Sequence, residues 1–115
     1  MTEIEILWPE NVEVADVVSD VEACCNAIGL TQTLRGTLGK YPGCTHWHYK
    51  PGKAKGTLEL TAWPQQHRLW FVVHENRKAA WMDEIVVRLK PEIEACLQNR
   101  FAVLKRLHNA VTSRD

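Results

Sequence analysis

The stretch CTHWHYKPGK, residues 44–53, carries three side chains of the kinds that bind metal ions or transfer protons. In an extended strand, side chains two residues apart point to the same side, so Cys44, His46 and His48 would share one face. Their Cα atoms would be spaced by roughly 6.5 Å, a separation from which two imidazoles can converge on one ion. Zinc would require one or two further ligands. The segment therefore predicts either a metal site or a polar sheet surface.

Glu59 and His74 lie in later strand-like segments and extend this set. If the apolar residues of neighbouring strands are aligned, Glu59 falls opposite or near His48 and also near His74. The same groups, with Arg35 nearby, could instead bind and protonate a small anionic or carbonyl substrate. A third interpretation is a hydrogen-bonded polar patch, because cross-strand His–Glu pairs stabilise sheets without a metal. The sequence contains no catalytic motif that would favour one of these three interpretations. It therefore leaves open whether the protein is an enzyme, and it identifies no cofactor.

Two tryptophans, Trp63 and Trp70, flank the turn PQQHR and are assigned to the same face as the histidines. They could stack on each other across the hairpin, or form an aromatic wall for a ligand or a partner subunit. A sheet face that exposes tryptophan among polar groups is typical of a surface covered by a partner or a ligand. We therefore expect this face to be buried by a second subunit or by a small molecule.

The elements that position these residues follow from the hydrophobic pattern. Alternating residues predict strands over 2–8, 31–38, 44–50, 56–63 and 69–75, separated by turn-rich segments. In the second strand the alternation assigns Leu34 and Leu38 to the apolar face and Arg35 to the histidine face. The sequence thus predicts an antiparallel meander of four to five strands.

Helical spacing of apolar residues predicts two helices. The first begins after Asn11, as its cap, and ends at Gly29. The second begins after Asn76 and continues for about eight turns at 3.6 residues each. Pro91 interrupts its stripe, which predicts either one kinked helix or two helices that meet there.

Composition limits the classes of function. The chain has 115 residues, of which 45% are hydrophobic and 24% charged, as expected for one globular domain over 1–115. The first 30 residues hold seven of the 14 acidic residues and none of the 14 Lys and Arg residues, although the net charge of the chain is zero. Basic clusters occur at residues 50–55 and 100–108, but without a nucleic-acid-binding motif we do not expect nucleic acid as a partner. The sequence has no apolar run of the roughly 20 residues that a membrane span requires, and its first residues do not resemble a signal peptide. Its four cysteines form no Cys-x-x-Cys motif. These features predict a cytoplasmic protein without a membrane partner.

Together these patterns predict an α+β fold in which both helices cover one face of the sheet. We expect a small binding or interaction domain, assembled as a homo-oligomer, whose other face binds a small-molecule ligand or a partner subunit. The alternative is a small metal-dependent or acid–base enzyme that uses His46, His48 and Glu59. Convergence distinguishes the two, because an enzyme needs these side chains to meet beside a cavity, whereas an interface needs them spread over a flat patch. The residues expected to form the binding face are Arg35, His46, His48, Glu59, Trp63, Trp70 and His74.

Overall fold

The computed structural model describes residues 1–112, without the side chain of residue 77, and confirms the α+β class. Five antiparallel strands form one sheet in the order β1-β5-β4-β3-β2. Both the first and the last residue of each strand lie within two residues of the predicted positions. The elements are β1 Thr2–Ile6, α1 Val14–Ala27, β2 Thr31–Gly36, β3 Thr45–Lys50, β4 Leu58–Trp63, β5 Arg68–Val73 and α2 Ala80–Thr112.

Both helices pack on one face of the sheet, as predicted, and the core lies between the two layers. From the sheet, inward-facing residues of β3, β4 and β5 are almost fully buried, and the apolar stripes of both helices meet them. Burial of this much apolar surface is the main source of the fold's stability. The largest fully buried side chains on this face of the sheet and on the two helices are Trp47, Phe71, Leu58, Leu60, Leu69, Met82, Leu89, Ile93, Leu97, Val17 and Val21.

The ends of α1 show one prediction confirmed and one wrong. Gly29 follows the helix with a positive φ of 92°, and the N–H groups of Gly29 and Leu30 donate to carbonyls of the last turn. This is the helix ending that glycine favours, because a side chain disfavours that backbone conformation. Asn11, by contrast, is not the N-terminal cap. It lies in a turn with φ 65°, and the helix begins at Val14 after Glu13.

α2 is one continuous helix with Pro91 in its interior, so of the two predicted alternatives the structure has the single helix and not the pair. Pro91 is exposed, and the carbonyl that loses its helical hydrogen bond can therefore be hydrated. Asn76 does not cap this helix, because it lies in a 3₁₀ turn over Glu75–Arg77. Among residues 1–112, no helix is both long and apolar enough to cross a membrane.

β2 departs from the predicted alternation. An irregularity early in the strand shifts its register, so that Leu34 pairs with His48 and Arg35 pairs with Trp47. One extra residue in a strand moves the following side chains to the opposite face. The assignment of Arg35 to the histidine face is therefore wrong. Its guanidinium lies on the helix-covered side, with Nη1 3.0 Å from a carboxylate oxygen of Glu22 in α1.

Candidate functional site

The pairing of β3 with β4 brings the predicted histidines beside Glu59. His46 lies opposite Thr61, and His48 lies opposite Glu59. On the other side of β4, Glu59 lies opposite Val72, two residues before His74. Since side chains alternate along each strand, these polar groups all project from the face of the sheet that the helices leave uncovered. The register thus places the side chains of His46, His48, Glu59 and His74 close together on this face.

Three imidazoles converge on a single carboxylate, that of Glu59. Nε2 of His46 lies 3.2 Å from Oε1 of Glu59, and Nε2 of His48 lies 3.7 Å from the same oxygen. The two Nε2 atoms are 3.1 Å apart. Nε2 of His74 lies 3.0 Å from the other oxygen, Oε2. The three histidines and Glu59 therefore converge and are not spread over a flat patch.

The centre of this cluster is buried. His46 is 3% exposed and Glu59 is 7% exposed, whereas His48 and His74 are each about one-third exposed. Burial lowers the pKa of His46, and the nearby Glu59 carboxylate only partly opposes that effect. A buried carboxylate needs donors or cations around it, because desolvation of an unpaired charge costs several kcal/mol. The three imidazoles are the groups that meet this need.

Two neighbours orient the cluster. Nδ1 of His46 lies 2.8 Å from Oγ1 of Thr61, which fixes the imidazole ring and directs Nε2 towards Glu59. Nε2 of His74 contacts the second carboxylate oxygen, Oε2, whereas His46 and His48 both lie nearer to Oε1. A hydrogen bond such as that between His46 and Thr61, one step outside the ligands, is typical of metal sites in proteins.

The three facing atoms have the spacing of a metal-ligand set. Nε2 of His46, Nε2 of His48 and Oε1 of Glu59 form a triangle with sides of 3.1, 3.2 and 3.7 Å. For bonds of about 2.0–2.1 Å in tetrahedral geometry, two zinc ligands are separated by about 3.3 Å. In the described part of the chain, these are the three His, Cys, Asp or Glu residues whose ligand atoms group closely enough to hold one ion.

The segment between β2 and β3, residues 37–44, folds over this face and covers its aromatic residues. Tyr41 contacts both tryptophans, with ring centroids 5.0 Å from Trp63 and 5.1 Å from Trp70. The predicted stacking of the two tryptophans on each other is therefore replaced by contacts with Tyr41. Nε1 of Trp63 donates to the carbonyl of Pro42 at 3.0 Å, which ties the segment to β4. Trp70 is fully buried within the chain, so it is not an exposed aromatic wall.

A cavity of about 150 Å³ lies between this segment and the sheet. His46, Glu59 and His74 line one part of it, so the cluster is accessible from a defined space rather than enclosed in the core. The remaining lining residues come from the N-terminus, β1, the covering segment and the sheet, and are Met1, Glu3, Leu38, Lys40, Tyr41, Thr61, Trp70 and Val72.

Cys44 does not join the cluster, although it shares the alternating run with the histidines. It precedes β3, and its buried Sγ accepts a hydrogen bond from the backbone N–H of Leu38 at 3.3 Å. Leu38 itself lines the cavity, not the helix-covered face to which alternation assigned it. The sequence reasoning also gave no role to Lys40 and Tyr41. The connection between β2 and β3 has eight residues, which is much longer than a tight hairpin, and it contains a leucine and a tyrosine. Its length and these two residues are the features of the sequence that indicate a segment packed on the sheet.

The chain was compared with models of known families, with curated proteins and with solved structures, and none of them matches it.

Proposed function

We propose that this domain binds a divalent first-row transition metal ion through His46, His48 and Glu59. The observation that carries the proposal is the triangle of facing atoms with sides of 3.1–3.7 Å around the buried carboxylate. Imidazole nitrogen combined with carboxylate oxygen is a ligand set that zinc and ferrous iron both accept. Thr61 and His74 would orient the ligands from outside.

A set of three protein ligands leaves room for a further ligand on the ion. Structural zinc sites are usually closed by four protein ligands, whereas catalytic sites keep one position for water or substrate. The cavity beside His46 and Glu59 supplies a space for that position. The proposed function is therefore metal-dependent binding of an exchangeable ligand. Lewis-acid catalysis by the same ion is the enzymatic form of this proposal.

Homo-oligomer formation stays a prediction, and its basis changes. The apolar residues of the sheet face are covered within one chain, since Trp70 is fully buried and Val72 is 7% exposed. The large apolar side chains exposed in the described residues lie instead mostly along α2. They include Val87, Val103, Leu104, Leu107 and Val111. Light scattering of the purified protein measures the oligomeric state directly.

The test of metal binding is elemental analysis of protein purified without a histidine tag, followed by calorimetric titration of the metal-free protein with zinc. One ion per chain is expected, with loss of tight binding when His46 and His48 are both replaced by Ala. His108→Ala is the matched control, because this histidine is exposed in α2 and far along the chain from the cluster. Binding that is unchanged in the double variant would exclude the cluster as the site.

A further inference from the structure

We propose that a small carboxylate or inorganic oxyanion binds in the cavity as the exchangeable ligand of the metal ion. One of its oxygens would occupy the open position beside His46, His48 and Glu59, and another would accept a hydrogen bond from the indole N–H of Trp70. Lys40 would supply a positive charge at the same cavity. This inference rests on the proposed metal site and names the class of ligand that the site takes.

Trp70 supplies the first argument. Its side chain is fully buried and lines the cavity, yet its Nε1 has no hydrogen-bond partner among the described residues. A buried donor without a partner costs about 1–3 kcal/mol, so such groups usually serve a ligand or an ordered water. Indole N–H can only donate. The group that satisfies Trp70 must therefore present an acceptor, as a carboxylate or oxyanion does.

The position of Trp70 in the sheet fits a ligand that reaches from the metal. Trp70 lies opposite Thr61, which lies opposite His46, so the three residues form one row across adjacent strands. Two strand spacings separate the Cα atoms of His46 and Trp70 by roughly 10 Å. Both side chains rise from the same face and line the same cavity. An anion of a few heavy atoms can occupy the space between them.

The charges around the cavity favour an anion once a divalent ion is bound. Arg68 pairs with Glu3 at 3.2 Å and also with Glu5, so this group keeps one negative charge, whereas the N-terminal amine of Met1 and Glu75 balance each other at 2.5 Å. In the described part of the chain, Lys40 forms no ion pair; its amine lies 5.5 Å from the ring centroid of Tyr41.

The remaining charge at the cavity is then positive. Glu59 neutralises one of the two positive charges on a divalent ion and Lys40 adds another, so the sum stays positive after the one negative charge left on the Glu3, Glu5 and Arg68 group is subtracted. The excess attracts anions over neutral molecules of the same size.

The size of the cavity limits the ligand. Its volume of about 150 Å³ lies well below the roughly 300–1,000 Å³ of pockets that take drug-sized molecules. Leu38 and Val72 form apolar parts of its wall, and Tyr41 belongs to the segment that covers it. Ligands the size of bicarbonate, acetate or phosphate fit this space, whereas a drug-sized carboxylate does not.

The experiment uses the protein loaded with Co²⁺, whose visible absorption reports changes in its ligands. Acetate, bicarbonate and phosphate are titrated separately, with acetamide as the neutral match of acetate. We expect saturable spectral changes with one or more of the small anions and none with acetamide. Trp70→Phe removes the N–H and should weaken anion binding roughly tenfold, the effect of losing one hydrogen bond to a charged group.

Lys40→Gln is a second variant that leaves the core intact, and it should weaken anion binding by about threefold, as expected for an exposed charge. Lys53→Gln, at an exposed turn remote from the cavity lining, is its matched control and should leave anion binding unchanged. Thermal melting establishes that each variant is folded.

The outcomes separate the two proposals. Cobalt that binds with one ion per chain but whose spectrum no small anion changes would overturn the anion inference and leave the metal site standing. The same holds if acetamide acts as strongly as acetate, or if Trp70→Phe and Lys40→Gln both retain full anion affinity. A chain that binds no cobalt, zinc or iron would overturn the metal site and the anion inference together.

Discussion

Replacing Glu59 by Gln should separate the stability of the metal-free protein from its response to metal. The substitution keeps the size and hydrogen-bonding oxygen of the side chain but removes its charge. In the metal-free protein, Glu59 is a carboxylate only 7% exposed, so its charge carries a desolvation cost. We expect metal-free Glu59→Gln protein to melt at the same temperature as the wild type or above it.

The response to zinc should change in the opposite direction. At a free zinc concentration 100 times the dissociation constant, binding stabilises the native state by about 2.7 kcal/mol. With about 2.1 cal/mol/K of unfolding entropy per residue, the 115-residue chain has an unfolding entropy of about 0.24 kcal/mol/K. The expected rise in melting temperature of the wild type is therefore about 11 °C. Glu59→Gln should lose most of this rise, because a neutral amide is a poor zinc ligand.

The assay is thermal unfolding followed by circular dichroism, with and without zinc, on tag-free protein. His108→Ala serves as the control and should retain the full rise, since it removes an exposed histidine that lies outside the cluster. A wild-type protein whose melting temperature does not respond to zinc, or a Glu59→Gln variant that responds as strongly as the wild type, would refute the reasoning.

Three further substitutions or measurements test the fold around the site. Arg35→Ala should leave zinc affinity unchanged within error by calorimetry, because Arg35 lies on the helix-covered side of the sheet. Leu60→Ala should lower the free energy of unfolding by about 2–5 kcal/mol in urea titration, because its fully buried side chain leaves a cavity. In native protein at pH 8, we expect Cys96 to be the one thiol that reacts quickly with Ellman's reagent, because it is exposed. Burial raises the pKa of Cys24 and of Cys25 to about 12, which keeps both thiols protonated. Rapid reaction of two or more thiols would contradict this expectation.

Alternation predicted the site where the strands are regular. His48, Glu59 and Val72 occupy one row across β3, β4 and β5, and the row follows from placing the apolar residues of all three strands on one side. The sequence could therefore predict that His48 and Glu59 are neighbours. It could not predict the distances between their atoms, because those depend on rotamers and on the twist of the sheet.

The errors have local physical causes. Alternation assigns Arg35 to the wrong face because the irregularity in β2 depends on backbone geometry that a two-residue period does not contain. The sequence does not predict the segment that covers the site, because Tyr41 lies in a turn-rich region where hydrophobic periodicity gives no information. Tyr41 contacts Trp70, which is distant in sequence. Because of this contact, the sheet face that was expected to be covered by a partner subunit or a ligand is covered by the chain itself and borders a cavity.

The stability of the fold does not account for the polar cluster. A buried charged group contributes little or negatively to stability compared with well-packed apolar residues of similar volume. Thr61 and His46 lie opposite each other in a sheet whose other face is filled by apolar side chains. Compared with well-packed apolar residues, a hydrogen-bonded patch without function would add little stability at these positions. A bound cation would change this balance, because it would compensate the Glu59 carboxylate and would use nitrogens of His46 and His48 that already face each other at 3.1 Å.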